Sequence, residues 1–218
     1  MQLKREREKI VHYGNRMAAA GLTTGTGGNL SILNRRASLM AVTPSGLYYD
    51  ELTPADIVVA GLNGRVVDGH RKPSSELAFH LAVYEIRPDV NAVVHTHSPW
   101  ATTLACLGWE LPAVHYLVGF SGHKVPLAPY AAFGTKELAG VVRDHLGDFN
   151  ALLLANHGLI TVGGNIDAAF AAAEEIEFVA RVYGQAKAMG DPVILPEEEM
   201  SRVMEKFAVY GQKGGHAA

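Results

Sequence analysis

The sequence predicts a mostly antiparallel sheet flanked by helices. Strand-like runs come in neighbouring pairs separated by turn residues, helical segments lie between and around them, and the two do not alternate as in a doubly wound sheet. With 218 residues, 48% of them hydrophobic, the chain can bury one substantial core and is awkward to divide into two. A single domain over 1–218 is expected, with about 211–218 as a flexible tail.

Gln2 to Ala20 is rich in helix formers, and Gly21 can take the left-handed conformation that closes a helix. Two short strands are expected near Asn29 to Leu33 and Ser38 to Val42. Ile57-Val58-Val59 and Arg65-Val66-Val67 flank Asn63-Gly64, a hairpin signal. A helix beginning at Pro73-Ser74-Ser75 should run to about Glu85, proline suiting the first turn and serine oxygens capping free amides. Asn91 to His97 reads as a buried strand and Ala151 to Ala155 as another, with Leu159 to Val162 as its continuation after Gly158. Thr135 and Asp167 look like helix caps. Asp167 to Met189 has helical spacing and stops at Gly190-Asp191-Pro192, and a last helix covers about Glu197 to Ala208.

Bulk properties exclude several function classes. Nineteen basic against 22 acidic side chains give a formal charge of −3, so there is no broad positive field for a nucleic acid or an anionic membrane. No apolar run approaches membrane length, and the charged N-terminus is unlike a signal core. One cysteine, Cys106, reads as a core residue and cannot form an internal disulfide; a cytoplasmic location is expected. Gly25-Thr26-Gly27-Gly28 lacks dinucleotide-fingerprint spacing, and no Walker lysine exists.

The chemistry-bearing residues begin with Val93-Val94-His95-Thr96-His97. Residues two apart on a strand point to one face, so both imidazoles can converge on one cation; alone, they are equally well read as backbone-satisfied or capping residues. A second apolar run, Leu152 to Ala155, ends at Asn156-His157-Gly158, and a third imidazole there would complete the three-ligand set of a divalent-metal site with an open position. Glu76 follows Lys72-Pro73-Ser74-Ser75 as a fourth ligand or a base, or as a first-turn glutamate facing the helix dipole. His80, four residues on, shares its helix face and offers a lesser metal pair. Serine hydroxyls and free amides at that helix start suit phosphate, and Thr26 to Ser31 and Thr43 to Gly46 can add donors or be plain turns. Tyr116 and Tyr130 are candidate acids, or packing residues.

In order and approximate spacing, Gly28-Asn29-Leu30-Ser31, Thr43-Pro44-Ser45-Gly46, Lys72 to Glu76, His95-Thr96-His97, Ala128-Pro129-Tyr130 with Phe133-Gly134-Thr135, and Asn156-His157-Gly158 resemble the class II sugar-phosphate aldolase/epimerase family, nearest its branch acting on L-fuculose 1-phosphate. The resemblance implies an α/β/α fold, a homotetramer with sites at subunit interfaces, and one divalent ion per subunit, Zn2+ before Mn2+ or Co2+. It implies that His95, His97, His157 and Glu76 hold the metal and that Glu76 doubles as acid/base. Asn29, Thr43, Ser45, Gly46, Ser74 and Ser75 would bind phosphate. Tyr116, from a neighbouring subunit, would handle the hydroxyl proton, with Phe133, Phe207 and Tyr210 on the aldehyde side. The implied reaction splits a ketose 1-phosphate, L-fuculose 1-phosphate or a deoxyketose such as 5-deoxyribulose 1-phosphate, into dihydroxyacetone phosphate and an aldehyde. L-Ribulose-5-phosphate 4-epimerase, methylthioribulose-1-phosphate dehydratase and an adducin-like interaction module are the alternatives; the first resembles a version with aspartate where Glu76 stands.

Overall fold

The structure is a computed structural model and describes residues 1–209. Its one sheet has eight strands in the order β4-β3-β2-β1-β5-β8-β7-β6. The strands are β1 (Asn29–Asn34), β2 (Leu39–Val42), β3 (Val58–Gly61), β4 (Val66–Asp68), β5 (Ala92–Thr96), β6 (Leu127–Ala128), β7 (Ala151–Leu154) and β8 (Gly158–Gly163). Every neighbouring pair is antiparallel except β6 with β7. The sheet is therefore mixed, a correction to the antiparallel expectation at one edge. Two residues of β6 are too few to show a period in sequence.

Helices cover both faces, giving three layers. On one side, α2 (Leu77–Ile86) and α4 (Lys136–Leu146) set Phe79, Val83, Leu138 and Val142 against Val93, Ile160 and Val162. On the other, α1 (Lys4–Ala19) and α5 (Ile166–Met189) press Ile10, Met17 and Phe170 onto Leu30, Ile32 and Val94. Strand residues thus alternate between two apolar layers, Val93 to one and Val94 to the other, as the two-residue strand period requires. Helix α3 (Pro99–Cys106) joins α5 over Leu153 and Leu159, and α6 (Glu197–Val209) adds Met200 to that cluster. Among the described residues, no helix is long and apolar enough to cross a membrane.

Four local expectations change. The segment after Gly158 does not continue the strand before it: β7 and β8 form a hairpin, with Leu154 paired to Gly158 across Ala155-Asn156-His157. Asn156 takes φ 55°, a left-handed conformation that asparagine tolerates and that reverses the chain. Helix α2 starts at Leu77, because Ser74 is held in extended pairing, its amide donating to Thr43 O at 3.0 Å. Asn165 rather than Asp167 caps α5, accepting from the Ala168 amide at 2.9 Å, while Asp167 meets Lys9 and Tyr13. Cys106 is exposed at the end of α3. Tyr210 and the expected tail over 211–218 lie outside the described residues.

Truncating Phe170, which is 1% exposed on α5 and packs against Tyr13 of α1 beneath the Arg16 guanidinium, removes an aromatic filler outside the candidate site described below. Phe170→Ala is expected to lower unfolding stability by about 3–5 kcal/mol, read from urea denaturation; a loss below about 1 kcal/mol would mean that the layer closes over the gap.

Candidate active site

Strand β5 supplies the first donor. His95 lies on the same face as Val93, towards α2, and is fully buried. Its Nδ1 is 3.0 Å from Leu159 O, a carbonyl that can only accept, so Nδ1 carries the proton and Nε2 presents a bare lone pair. His97, one stride further, turns its ring to the same point, with Nε2 3.1 Å from His95 Nε2. The β7–β8 turn brings in His157, and the ligand nitrogens of the three all lie within 4.8 Å of one another.

Glu76, at the N-cap of α2, closes the group. Its Oε2 is 3.3 Å from His95 Nε2 and its Oε1 is 3.3 Å from His157 Nε2. These are not ordinary ion pairs. Burial first, and the other two imidazoles second, hold His95 well below the usual histidine range. Burial likewise lowers His97, and it lowers His157 against the opposing pull of the Glu76 charge. Three imidazoles that burial favours as neutral and a carboxyl group thus converge on one point, a donor set suited to a positive centre. Among the described residues, Glu76 Oε1 and His157 Nδ1 are buried without a hydrogen-bond partner. Three imidazoles plus a carboxylate fit a divalent cation of the zinc type.

Above this cluster opens a cavity of about 370 Å³. One wall is the start of α2 with Ser74 and Ser75; another is the Ser45-Gly46 turn, docked there because Ser45 N donates to Lys72 O at 3.1 Å. Serine hydroxyls gathered at a helix N-terminus make this wall suited to an anion. Tyr130 and Phe133, 62% and 72% exposed, flank the mouth.

The family model for the class II aldolase and adducin N-terminal domain matches residues 8–184. The chain belongs to this family. It is 55% identical to a 5-deoxy-D-ribulose 1-phosphate aldolase of Bacillus thuringiensis over 98% of this chain and 100% of that one. It is 43% identical to a 5-methylthioribulose-1-phosphate/5-deoxyribulose-1-phosphate aldolase of Rhodospirillum rubrum, covering 94% and 92%. A solved L-fuculose 1-phosphate aldolase superposes with a TM-score of 0.92 at 45% identity, covering 94% of this chain and 96% of that one.

Within this class II aldolase fold the expected site residues separate into two groups. His97, His157, Glu76, Asn29, Ser45, Gly46, Ser74, Ser75 and Phe133 line the cavity, and His95 sits beneath it. Thr43 does not line it: the side chain is buried and its hydroxyl accepts from the Leu30 amide at 3.2 Å, so it supports the turn. Tyr116 and Phe207 lie together elsewhere, ring centroids 6.2 Å apart, and line a separate surface hollow. His80 does not pair with Glu76 for metal; its Nδ1 meets Ser31 Oγ at 2.7 Å and its Nε2 meets Asn29 Oδ1 at 2.5 Å. Gly27 and Gly158 stand in the quoted motifs without a role of their own. A Cβ on Gly27 would stand 2.7 Å from His97 Nδ1, and one on Gly158 would stand 2.3 Å from Thr96 O and 3.1 Å from His97 Cδ2, so Gly27 clears room for an imidazole and Gly158 first for the β5 backbone. Their adjacency to Gly28 and His157 was the only available signal.

Burial pushes His80 down to about 3. An unfolded histidine binds a proton near pH 6.5, so unfolding takes up a proton between about pH 6.5 and about pH 3. Stability contributed by His80 is full above that window and falls by about 1.4 kcal/mol per pH unit on acidification through it. Urea titrations of chelator-treated wild type and His80→Phe at about pH 7 and about pH 5 isolate its share of the slope, and equal slopes in the two proteins would show that His80 contributes none of it.

Proposed function

We propose that this class II aldolase reversibly cleaves a 5-deoxypentulose 1-phosphate, such as 5-deoxyribulose 1-phosphate, to dihydroxyacetone phosphate and acetaldehyde. The carrying observation is Glu76 set between His95 and His157 under a serine-lined anion wall. The 55% identity over the whole chain favours the five-carbon substrate. The neighbour with a TM-score of 0.92 supports a second reading, L-fuculose 1-phosphate, which would release lactaldehyde instead.

His95, His97 and His157 would hold the cation, Zn2+ being the ion best matched to three neutral imidazoles, with Glu76 as a further donor. When bound, it supplies Lewis-acid charge that offsets the negative charge developing on the ketose oxygens, so no lysine imine is required. Ser74, Ser75, Ser45 and Gly46 hold the phosphate and fix the sugar chain. A tyrosine oxygen takes the proton of the C4 hydroxyl while its own proton passes through solvent to Glu76, as the C3–C4 bond breaks and the C4 fragment leaves as the aldehyde. Glu76 then delivers a proton to C3, completing dihydroxyacetone phosphate. Tyr116, which is 49% exposed and does not line its own chain's cavity, is assigned to the site of a second copy. A homotetramer of single-domain chains working in the cytoplasm fits this assignment.

The test is a retro-aldol assay across ketose 1-phosphates and ribulose 5-phosphate, following dihydroxyacetone phosphate and the aldehyde. Dihydroxyacetone phosphate is expected from 5-deoxyribulose 1-phosphate, and its absence with every ketose would overturn the reading. Chelation should abolish turnover and added Zn2+ restore it. Glu76→Gln should fold normally while turnover drops roughly 10²–10⁴-fold; full activity would remove Glu76 as the proton carrier. Tyr116→Phe should slow cleavage by a similar factor without changing metal content, and unchanged cleavage would exclude the Tyr116 hydroxyl.

A further inference from the structure

Beneath the cavity a stripe of α2 faces β1. Glu76, His80 and Tyr84 are spaced four residues apart, about 6 Å per step along a helix, while Asn29 and Ser31 are one strand stride apart, about 6.6 Å. The near match lets the two rows interlock. Asn29 Nδ2 donates to Glu76 Oε2 at 2.8 Å, and Asn29 Oδ1 lies 2.5 Å from His80 Nε2. His80 Nδ1 is 2.7 Å from Ser31 Oγ, which is 2.7 Å from Tyr84 Oη. All five side chains are buried, His80 and Ser31 completely.

The chemistry of the groups fixes the direction of every bond. A carboxylate oxygen accepts, so Asn29 must turn its amide nitrogen to Glu76 and its oxygen to His80. That oxygen needs a donor, which makes Nε2 the protonated nitrogen of His80. Nδ1 must then accept from the Ser31 hydroxyl, and Ser31 Oγ in turn accepts from Tyr84. Asn29 neither gains nor loses a proton, so this row does not conduct protons. It can only hold geometry.

We propose that His80, backed by Ser31 and Tyr84, is a positioning residue that locks the Asn29 amide and thereby tethers Glu76 through Oε2, leaving Oε1 as the oxygen free for chemistry. Among the described residues Oε1 has no hydrogen-bond partner, whereas Oε2 does. Burial pushes Tyr84 up and His80 down, so both stay neutral at working pH and the polarity of the row does not vary. The assignment also revises Asn29: its oxygen and one amide hydrogen are committed to His80 and Glu76, so its first task is orienting the carboxylate rather than cradling phosphate. The consequence for turnover rests on the aldolase reading above; the bond directions do not.

Two measurements test it. Nitrogen-15 NMR of the histidines in the wild-type protein should show His80 as the neutral tautomer protonated at Nε2; protonation at Nδ1 would overturn the proposal, since Asn29 would then face Glu76 with its oxygen. In the retro-aldol assay, His80→Phe should lower kcat and kcat/KM together, roughly 10–100-fold. His80→Gln, which keeps an N–H for Asn29, should recover much of that loss. A folded His80→Phe with kcat within about twofold of wild type would also overturn it. Should His80→Phe not fold, the wild-type tautomer decides alone. That readout needs no substrate, so failure of the aldolase reading, seen as a wild type releasing no dihydroxyacetone phosphate, is distinguishable from failure of the tether.

Discussion

The pairing of β5 with β1 on one side and β8 on the other is the constraint from which the site follows. It sets Asn29 opposite His95 and His95 opposite Ile160, and it places the β7–β8 turn beside the end of β5. A slip of one residue in either ladder would turn these side chains to the α1 and α5 layer, where Leu30, Ala92 and Val94 pack. The apolar residues of the same strands prevent that slip. Position of the polar groups is therefore set by hydrophobic burial, and the polar groups themselves contribute little to choosing it.

Electrostatically, the cluster is arranged as a set of donors. The low-lying protonation of His95, His97 and His157 comes first from burial, and the Leu159 carbonyl fixes which nitrogen of His95 is bare. The bare His95 Nε2, 3.1 Å from His97 Nε2 and beside a carboxylate, is one of four donor groups that a single divalent cation would satisfy at once. Phe79 stacks on His80 and meets the edge of His95, so the apolar layer reaches directly under both polar rings.

Much of this was legible in the chain. The stride between His95 and His97, the Asn63-Gly64 hairpin and the Thr135 cap follow from local rules, and the structure shows them. The order of short motifs pointed to the family. What local rules could not reach were effects of distance. Helix α2 starts late because its first residues pair with the Thr43 segment, thirty residues away. The reversal at Asn156 depends on β8 finding β5, and the parallel edge on where the chain arrives after α3. Glu76 and His80 were correctly placed on one helix face, but their separate partners, a cation site for one and Asn29 with Ser31 for the other, are visible only once β1 lies beneath them.

The turn that carries His157 has only three residues between paired positions, with Asn156 in a conformation few residue types adopt. Surface turns ordinarily absorb insertions and deletions at little cost. This one cannot, because one residue more or fewer would swing the imidazole off the point that His95 and His97 define. Its length is thus as heritable a part of the site as any side chain, and divergence of this chain must proceed by substitution around the turn rather than by change within its span.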